Sequence, residues 1–158
     1  MKSIYSSDIG DLIIFADLKI DGIYFANQKN LPKEMCKNEK NFENKIIREC
    51  KIWLDDYFNG IIPENKLEIN FTCSRLQKKV YEKTLEIPFG ETLSYKSLSL
   101  NVFNDVNHSR FVANTLAKNK FIIVVPCHRV ISSKGELRGY LAGVNKKRFL
   151  LEHERKFR

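Results

Sequence analysis

A cysteine, a histidine and an arginine follow one another directly after a run of β-branched residues. The run covers residues 122–125 and leads through Pro126 into Cys127, His128 and Arg129. It predicts a buried strand, which must end or bend at Pro126 because proline cannot donate to a sheet ladder. The thiol would then lie at the mouth of that strand, beside an imidazole and a guanidinium that favour the reactive thiolate. The alternative is that Cys127 is one more inert buried cysteine.

The composition predicts an ordinary globular protein. The chain has 158 residues, of which 43% are hydrophobic and 29% are charged, so extended disorder is not expected. No apolar run is long enough to span a bilayer, and the first residues lack the apolar core of a signal peptide. The cysteines Cys36, Cys50, Cys73 and Cys127 form no C-x-x-C pair, which argues against a zinc site. We therefore expect an intracellular protein with free thiols.

Charge is distributed unevenly along the chain, whose formal net charge is +8. Residues 1–70 carry 10 Lys and Arg against 12 Asp and Glu, whereas residues 71–158 carry 17 against 7. We therefore expect an N-terminal domain over residues 1–70 and a C-terminal domain over residues 71–158. A strongly basic domain suits a polyanion such as nucleic acid, although a solvated basic surface would have the same composition.

The N-terminal domain is predicted to combine a β-hairpin with an amphipathic helix. Residues 12–16 and 20–26 are apolar and β-prone, and a short polar stretch separates them. A polar loop over residues 27–40 leads to a helix over residues 43–58, which ends at an Asn-Gly pair. Its apolar residues share one face, the core stripe: Ile46, Ile47, Cys50, Trp53, Leu54, Tyr57 and Phe58. Residues 66–71 are expected to form a short strand or an extended linker.

The C-terminal domain is predicted to be mainly helical. Ser74 and Gln77 form a capping box, and the helix that it opens carries Leu76, Val80 and Leu85. A Pro-Phe-Gly turn over residues 88–90 ends this region.

Two short helices follow the turn. Ser94 is expected to cap one over residues 95–100, and Asn107 is expected to cap another over residues 108–118. The pair resembles a helix-turn-helix with a long connecting loop. Asn145 is expected to cap the last helix.

Three cations, Lys146, Lys147 and Arg148, fall in the first turn of that last helix. The helix dipole disfavours cations there by about 0.3–1 kcal/mol each. Either an anion binds at this helix end, or the cluster is tolerated at the surface, and the sequence does not separate the two.

Taken together, these segments resemble the O6-alkylguanine-DNA alkyltransferases, or methylated-DNA–protein-cysteine methyltransferases. The resemblance rests on the Pro-Cys-His-Arg-Val motif at 126–130, the Ile-Pro-Phe-Gly-Glu-Thr-Leu-Ser-Tyr stretch at 87–95, Gly139-Tyr140, and residues 149–154. It implies an α/β protein with a small ribonuclease-H-like antiparallel sheet and a mainly helical, winged-helix-like C-terminal domain. It also implies that a helix of the C-terminal domain binds in the minor groove while the damaged guanine is extruded.

The resemblance assigns chemical roles to four residues. Cys127 is similar to the nucleophile that takes the alkyl group, His128 to the base acting through a water, and Glu154 to the carboxylate that orients it. Tyr95 is similar to the tyrosine whose hydroxyl donates to the departing guanine. A free thiol is only about 3% thiolate at pH 7, and a relay that lowers its pKa toward 7 would raise that fraction.

The resemblance also assigns binding roles. Tyr140 would line the base pocket, Arg110 would enter the duplex in place of the flipped base, and Asn119 would be a structural hinge before the active-site strand. Positions expected to contact the DNA backbone or lie beside the active-site loop are Ser94, Lys96, Ser133 and Lys147.

Some positions depart from the family pattern. The chain is about one residue longer between Tyr95 and Arg110, which affects the Arg110 assignment. Asn114 stands where small residues are usual. Arg138 and the segment 141–143 also differ, which bears on the size of the alkyl pocket.

The resulting prediction is direct-reversal DNA repair, in which an alkyl group moves once from guanine O6 to Cys127, with thymine O4 as a further candidate. We expect no cofactor and no metal, a double-stranded DNA partner carrying O6-alkylguanine, no membrane or obligate protein partner, and a monomer. The compartment would be the cytoplasm in a prokaryote or the nucleus in a eukaryote. The alternatives are a non-catalytic lesion-binding relative, which would lack the cysteine, and a cysteine hydrolase, which would need an oxyanion hole.

Overall fold

The computed structural model describes residues 1–29, 31–33 and 41–158. The chain forms two compact units, Met1–Phe71 and Thr72–Arg158. The first contains a small antiparallel sheet and a helix, and the second is mainly helical. The α/β class expected from the sequence is confirmed. Cys36 and most of the predicted loop over residues 27–40 lie outside the described residues.

The sheet of the first unit has three antiparallel strands in the order β1-β2-β3. They are β1 (Lys2–Tyr5), β2 (Leu12–Ala16) and β3 (Ile20–Phe25). Alternate residues of β2 are buried, as expected for a strand with one face on the core. The predicted hairpin is therefore confirmed, whereas β1 was missed because its four residues carry no clear alternation. In the segment predicted as strand or linker, Ile69 forms a single parallel bridge with Ile20.

Helix α1 (Lys45–Phe58) supplies the other layer of this unit. Asn44 caps it by accepting a hydrogen bond from the backbone N–H of Ile47 at 2.8 Å. The predicted apolar stripe is confirmed in its central residues, which are fully buried: Ile47, Cys50, Leu54 and Tyr57. The Cys50 thiol is thus a core group, and burial raises its pKa to about 12.

The second unit is built from four helices and one short parallel strand pair. The helices are α2 (Arg75–Leu85), α3 (Tyr95–Phe103), α4 (Ser109–Ala117) and α5 (Val144–Lys156). Strand β4 (Leu93–Ser94) pairs with β5 (Val130–Ile131) and leads directly into α3. The pair therefore joins the start of α3 to the segment that follows Cys127.

Helix α2 begins at the capping box predicted from Ser74 and Gln77. Of the three apolar residues that the sequence places on this helix, Val80 is buried, whereas Leu76 and Leu85 are exposed. The helix buries Val80, Tyr81 and Thr84. The Tyr81 hydroxyl donates to the Thr115 carbonyl at 2.9 Å, so the buried face of α2 also carries a hydrogen bond to α4.

The connection between α3 and α4 is shorter than predicted. Helix α3 runs to Phe103 rather than about residue 100, and Asn104 ends it in the left-handed region with φ 56°. A 3₁₀ turn over Val106–His108 follows, and its cap is Asp105, which accepts from the Asn107 N–H at 2.8 Å. The prediction that Asn107 caps α4 is therefore wrong.

The β-branched run before Cys127 is buried, as predicted, but it is not a strand. Residues 122–124 form a turn, and Ile123 has φ 69°. The turn is closed by the backbone bond from the Val125 N–H to the Phe121 carbonyl at 2.8 Å. Tertiary contacts override β propensity here, so the interpretation of residues 122–125 as a buried strand is corrected.

Helix α5 begins after Gly143, which has no side chain to cap it, so the predicted capping role of Asn145 is also wrong. Over the part of the chain that the structure describes, no helix is both long and apolar enough to cross a membrane.

Candidate active site

Cys127 opens a 3₁₀ turn, Cys127–Arg129, that begins directly after Pro126. Its backbone N–H donates to the Val125 carbonyl at 2.8 Å, and only 6% of the residue is exposed. The turn continues into β5, whose pairing with β4 holds it close to the start of α3. The nucleophile candidate therefore lies on a short, rigidly bonded segment rather than at the end of a strand.

The Asn119 side chain connects the thiol to the preceding turn. Its Nδ2 lies 3.0 Å from Cys127 Sγ and donates to the Val125 carbonyl at 3.0 Å. Its Oδ1 accepts from the Phe121 N–H at 2.9 Å. The sequence prediction made Asn119 a hinge, and it missed the direct contact with sulfur.

The thiol is protonated in this state. Burial raises the pKa of Cys127, and the Asn119 hydrogen bond and the Lys147 charge oppose that effect without overcoming it. A relay that lowers the thiol pKa toward 7 is thus not at work in the protein without DNA, where burial raises that pKa instead. A positioned base must remove the proton when sulfur reacts.

His128 and Glu154 form a fully buried pair. His128 Nε2 lies 2.6 Å from Glu154 Oε1, and both side chains are completely excluded from solvent. Burial lowers the pKa of His128, which outweighs the opposing effect of the Glu154 carboxylate. The imidazole is therefore neutral near pH 7, the form that can accept a proton.

Arg129 holds the same carboxylate from the other side. Its Nε donates to Glu154 Oε2 at 2.9 Å and its Nη2 to Oε1 at 3.0 Å. The Gly90 N–H donates to Oε2 at 2.9 Å, while Arg129 Nη1 donates to the Ile87 carbonyl at 2.7 Å. The carboxylate is thus held on both oxygens, and Arg129 also ties it to the 87–90 turn.

These contacts keep Glu154 ionised. Burial by itself would raise its pKa, but hydrogen bonds and charges from His128 and Arg129 reverse the effect and hold the pKa well below its usual range. The sequence prediction gave Arg129 only the role of favouring the thiolate, and it missed the contact with Glu154. One signal was available in the sequence. Arg129 stands next to His128 in a motif expected to be buried, and a buried arginine requires a carboxylate partner.

Tyr95 is the first residue of α3 and lies partly buried. Its hydroxyl donates to the Arg138 carbonyl at 3.3 Å. Burial raises its pKa, and the nearby Cys127 adds to the shift, so the group is a neutral hydroxyl that can donate. A Cβ on Gly139, which has φ 65°, would lie 3.8 Å from this hydroxyl, so the loop backbone passes close beside it.

Lys147 is buried although it lies in the first turn of α5. Its Nζ donates to the Val130 carbonyl at 2.6 Å and to the Arg138 carbonyl at 3.2 Å, and it lies 5.8 Å from the centre of the Tyr95 ring. Burial lowers its pKa, and the nearby Cys127 opposes the shift. Two backbone carbonyls therefore stabilise the Lys147 cation at this helix end.

The remaining predicted residues lie apart from this network or have other contacts. Tyr140 is buried, with 8% of its surface exposed. Ser94 caps α3 by accepting from the Ser97 N–H at 3.0 Å. Three predicted DNA-contacting residues are exposed on the second unit: Lys96, Arg110 and Ser133.

The arrangement combines a buried thiol, a neutral imidazole, and a carboxylate fixed by an arginine. These are the parts of a nucleophile, a base and a group that orients the base. In the described residues, no three His, Cys, Asp or Glu side chains are grouped as a metal site requires.

Known sequences that are similar to this chain include several methyltransferases. Residues 75–156 match the model of a family described as 6-O-methylguanine DNA methyltransferase, DNA binding domain. A methylated-DNA–protein-cysteine methyltransferase of Methanosarcina acetivorans is 33% identical over 153 residues, which is 96% of each chain. A protein of the same name from Mycobacterium leprae is 38% identical over 113 residues, 72% of this chain and 68% of that relative.

Solved structures share the whole architecture. The Mycobacterium tuberculosis O6-methylguanine methyltransferase superposes with a TM-score of 0.87 at 28% identity, covering 99% of this chain and 93% of that one. The M. tuberculosis protein called OGT, crystallised in complex with DNA, superposes with a TM-score of 0.85 over the same shares of the two chains.

Proposed function

The chain belongs to the family of methylated-DNA–protein-cysteine methyltransferases, and on that premise we propose that it repairs DNA by moving an alkyl group from guanine O6 to Cys127. The observation that carries the assignment to Cys127 is its place beside the buried His128–Glu154–Arg129 network and under the Asn119 carboxamide. Among the cysteines that the structure describes, Cys50 is a buried core thiol and Cys73 is exposed.

The proposed reaction exchanges one bond for another. The bond between guanine O6 and the alkyl carbon breaks, and a thioether forms between that carbon and Cys127 Sγ. His128 Nδ1 takes the thiol proton through a water, because Nε2 is already bonded to Glu154. The guanine leaves as an anion with the electron pair of the broken bond, and the Tyr95 hydroxyl stabilises that anion by donating a hydrogen bond. The proton taken by His128 is then released to solvent, and the anion takes one from solvent.

The resting protonation states suit this sequence. The thiol is protonated, so the thiolate forms only when the base acts, while the neutral His128 is ready to accept. The ionised Glu154 then stabilises the imidazolium that results. Holding the alkyl carbon against sulfur would supply much of the remaining rate enhancement.

The partner is proposed to be duplex DNA. The second unit carries the excess of basic residues, and Arg110 and Lys96 are exposed on it. Since the O6 substituent lies within the base stack, the nucleotide must be extruded, and Arg110 would fill the space that it leaves. Lys96 and Ser133 would contact phosphates, and Tyr140 would line the pocket for the extruded base.

The protein is proposed to act once, as a monomer and without a cofactor, in whichever compartment holds the DNA. A thioether is not restored by cellular reductants. The non-catalytic lesion-binding alternative and the cysteine hydrolase are not favoured, since the relatives that match the chain are named as methyltransferases.

The test is a duplex with one O6-methylguanine, incubated with the wild type, Cys127→Ala and Cys73→Ala. We expect one lesion lost per protein, with a methyl group on the peptide holding Cys127, for the wild type and Cys73→Ala. Cys127→Ala should repair nothing. Repair by Cys127→Ala, or many lesions removed per protein, would overturn the proposal.

A further inference from the structure

Helix α4 presents one face away from the core, and Asn114 lies near its centre. Val112, Thr115 and Leu116 are the buried residues of the helix. At 100° per residue these three share one side, and Arg110 and Asn114 fall on the opposite side, one turn apart. Both are exposed. Asn114 is therefore placed to contact whatever Arg110 contacts.

The surroundings of Asn114 favour an external ligand over a structural role. Within the described part of the chain, its carboxamide has no hydrogen-bond partner, and Arg110 has no ion-pair partner. Ala113 and Ala117 lie on one side of Asn114, so within α4 the long polar side chains on this face are Arg110 and Asn114, and Lys118 follows one turn later. The helix contains no acidic residue that would repel a phosphate backbone.

We propose that the Asn114 carboxamide reads the edge of a base pair next to the lesion and so makes repair depend on the flanking sequence. This inference rests on the proposed function. A carboxamide offers both a donor and an acceptor, and the edges of A·T and G·C pairs differ in their donors and acceptors in both grooves. An uncharged amide neutralises no phosphate, so its effect should fall mainly on sequence preference.

The experiment measures single-turnover rates of methyl transfer from O6-methylguanine duplexes that differ only in the flanking pairs, A·T or G·C. The ratio of the two rates is compared between the wild type and Asn114→Ala. Alanine is the best helix former, so this substitution at an exposed helical position should preserve the fold. Lys118→Ala is the matched control, because it removes an exposed side chain next to the end of α4.

We expect the ratio to change by about tenfold in Asn114→Ala, the scale of one base-edge contact. Lys118→Ala should change both rates by the same factor, as a phosphate contact does. A ratio in Asn114→Ala within about twofold of the wild type overturns the inference while leaving the proposed function intact. Absence of transfer from any duplex by the wild type would instead overturn the proposed function.

Discussion

The Asn119 carboxamide nitrogen lies 3.0 Å from Cys127 Sγ and also donates to the Val125 carbonyl. The Asn119 side chain therefore fixes the position of the thiol relative to the turn that precedes it. Because the same amide opposes the effect of burial on the thiol pKa, its hydrogen bond is better suited to a thiolate than to a thiol. We propose that Asn119 positions the nucleophile as well as shaping the chain.

Asn119→Asp should weaken both the stability of the fold and the positioning of the nucleophile. The carboxylate cannot donate to sulfur or to the Val125 carbonyl, and its charge would repel the thiolate. We expect the free energy of unfolding to fall by about 1–3 kcal/mol, as for a buried group left unsatisfied, and methyl transfer to slow by at least about tenfold. Urea unfolding and single-turnover transfer measure the two effects.

Asn65→Asp is the matched control, since it makes the same chemical change at an exposed position of the first unit. It should leave both measurements near the wild-type values. If Asn119→Asp lowers stability but transfers methyl at the wild-type rate, the proposed contact with the nucleophile has no part in the reaction.

Glu154→Gln should change how stability depends on pH. Because the folded pKa of Glu154 lies below its unfolded value of about 4.3, the ionised group stabilises the fold above that pH, and this stability is lost as the pH falls further. The wild-type advantage over Glu154→Gln should shrink by about 1.4 kcal/mol per pH unit below about pH 4.3. Urea unfolding between pH 3 and pH 7, at about half-unit steps, provides the measurement.

Near neutral pH, Glu154→Gln should be about 3 kcal/mol less stable, because it leaves Arg129 buried without its charged partner. Glu152→Gln serves as the control, as it removes an exposed carboxylate from the same helix. If the free energies of unfolding of the wild type and Glu154→Gln change in parallel with pH down to about pH 3, His128 and Arg129 do not stabilise the ionised carboxylate.

Lys147→Met should shift the pH profile of methyl transfer to higher pH. The methionine keeps an unbranched apolar side chain in place but removes the charge that opposes the raised pKa of Cys127. It also removes the ammonium donor from the Val130 carbonyl and one of the two donors from the Arg138 carbonyl, so the loop beside Tyr95 loses support. We expect transfer at pH 7 to slow by about tenfold.

Arg148→Met removes a neighbouring charge that is exposed on α5, and its pH profile should match the wild type. A Lys147→Met profile that is slower at every pH without a shift would mean that Lys147 acts through the loop alone.

The three cysteines that the structure describes should differ sharply in their reaction with iodoacetamide. Cys73 is exposed, Cys127 is 6% exposed with a raised pKa, and Cys50 is fully buried. We expect labelling in the order Cys73, Cys127, Cys50, with about tenfold or more between the first two. Peptide mapping by mass spectrometry over a time course measures it. Faster labelling of Cys127 than of Cys73 would contradict a buried, protonated resting thiol.

Affinity for undamaged duplex should fall steeply with salt, because the basic second unit would release counterions from DNA. Lys96→Ala should reduce the slope of log affinity against log salt by about 1. Lys45→Ala, an exposed lysine of the first unit, should leave the slope unchanged. A wild-type affinity that does not vary with salt would argue against phosphate binding.

Features that depend on a few neighbouring residues were predictable from the sequence. The hairpin of β2 and β3, the capping box of α2, the Ser94 cap and the buried stripe of α1 all follow local rules of periodicity and capping. The Pro-Cys-His-Arg motif likewise predicted the chemistry, because residue type decides which groups can act as a nucleophile or a base.

Features that depend on distant contacts were decided only by the tertiary structure. The run at residues 122–125 became a turn because Asn119 and the backbone satisfy its polar groups, despite a strong β propensity. Arg129 reached Glu154 across 25 positions, and Lys147 turned inward to two carbonyls. Burial then raised the pKa of Cys127, which its neighbours in sequence had suggested would be lowered. Sequence neighbours determine which groups are present, whereas burial and pairing across the fold determine their charge and their partners.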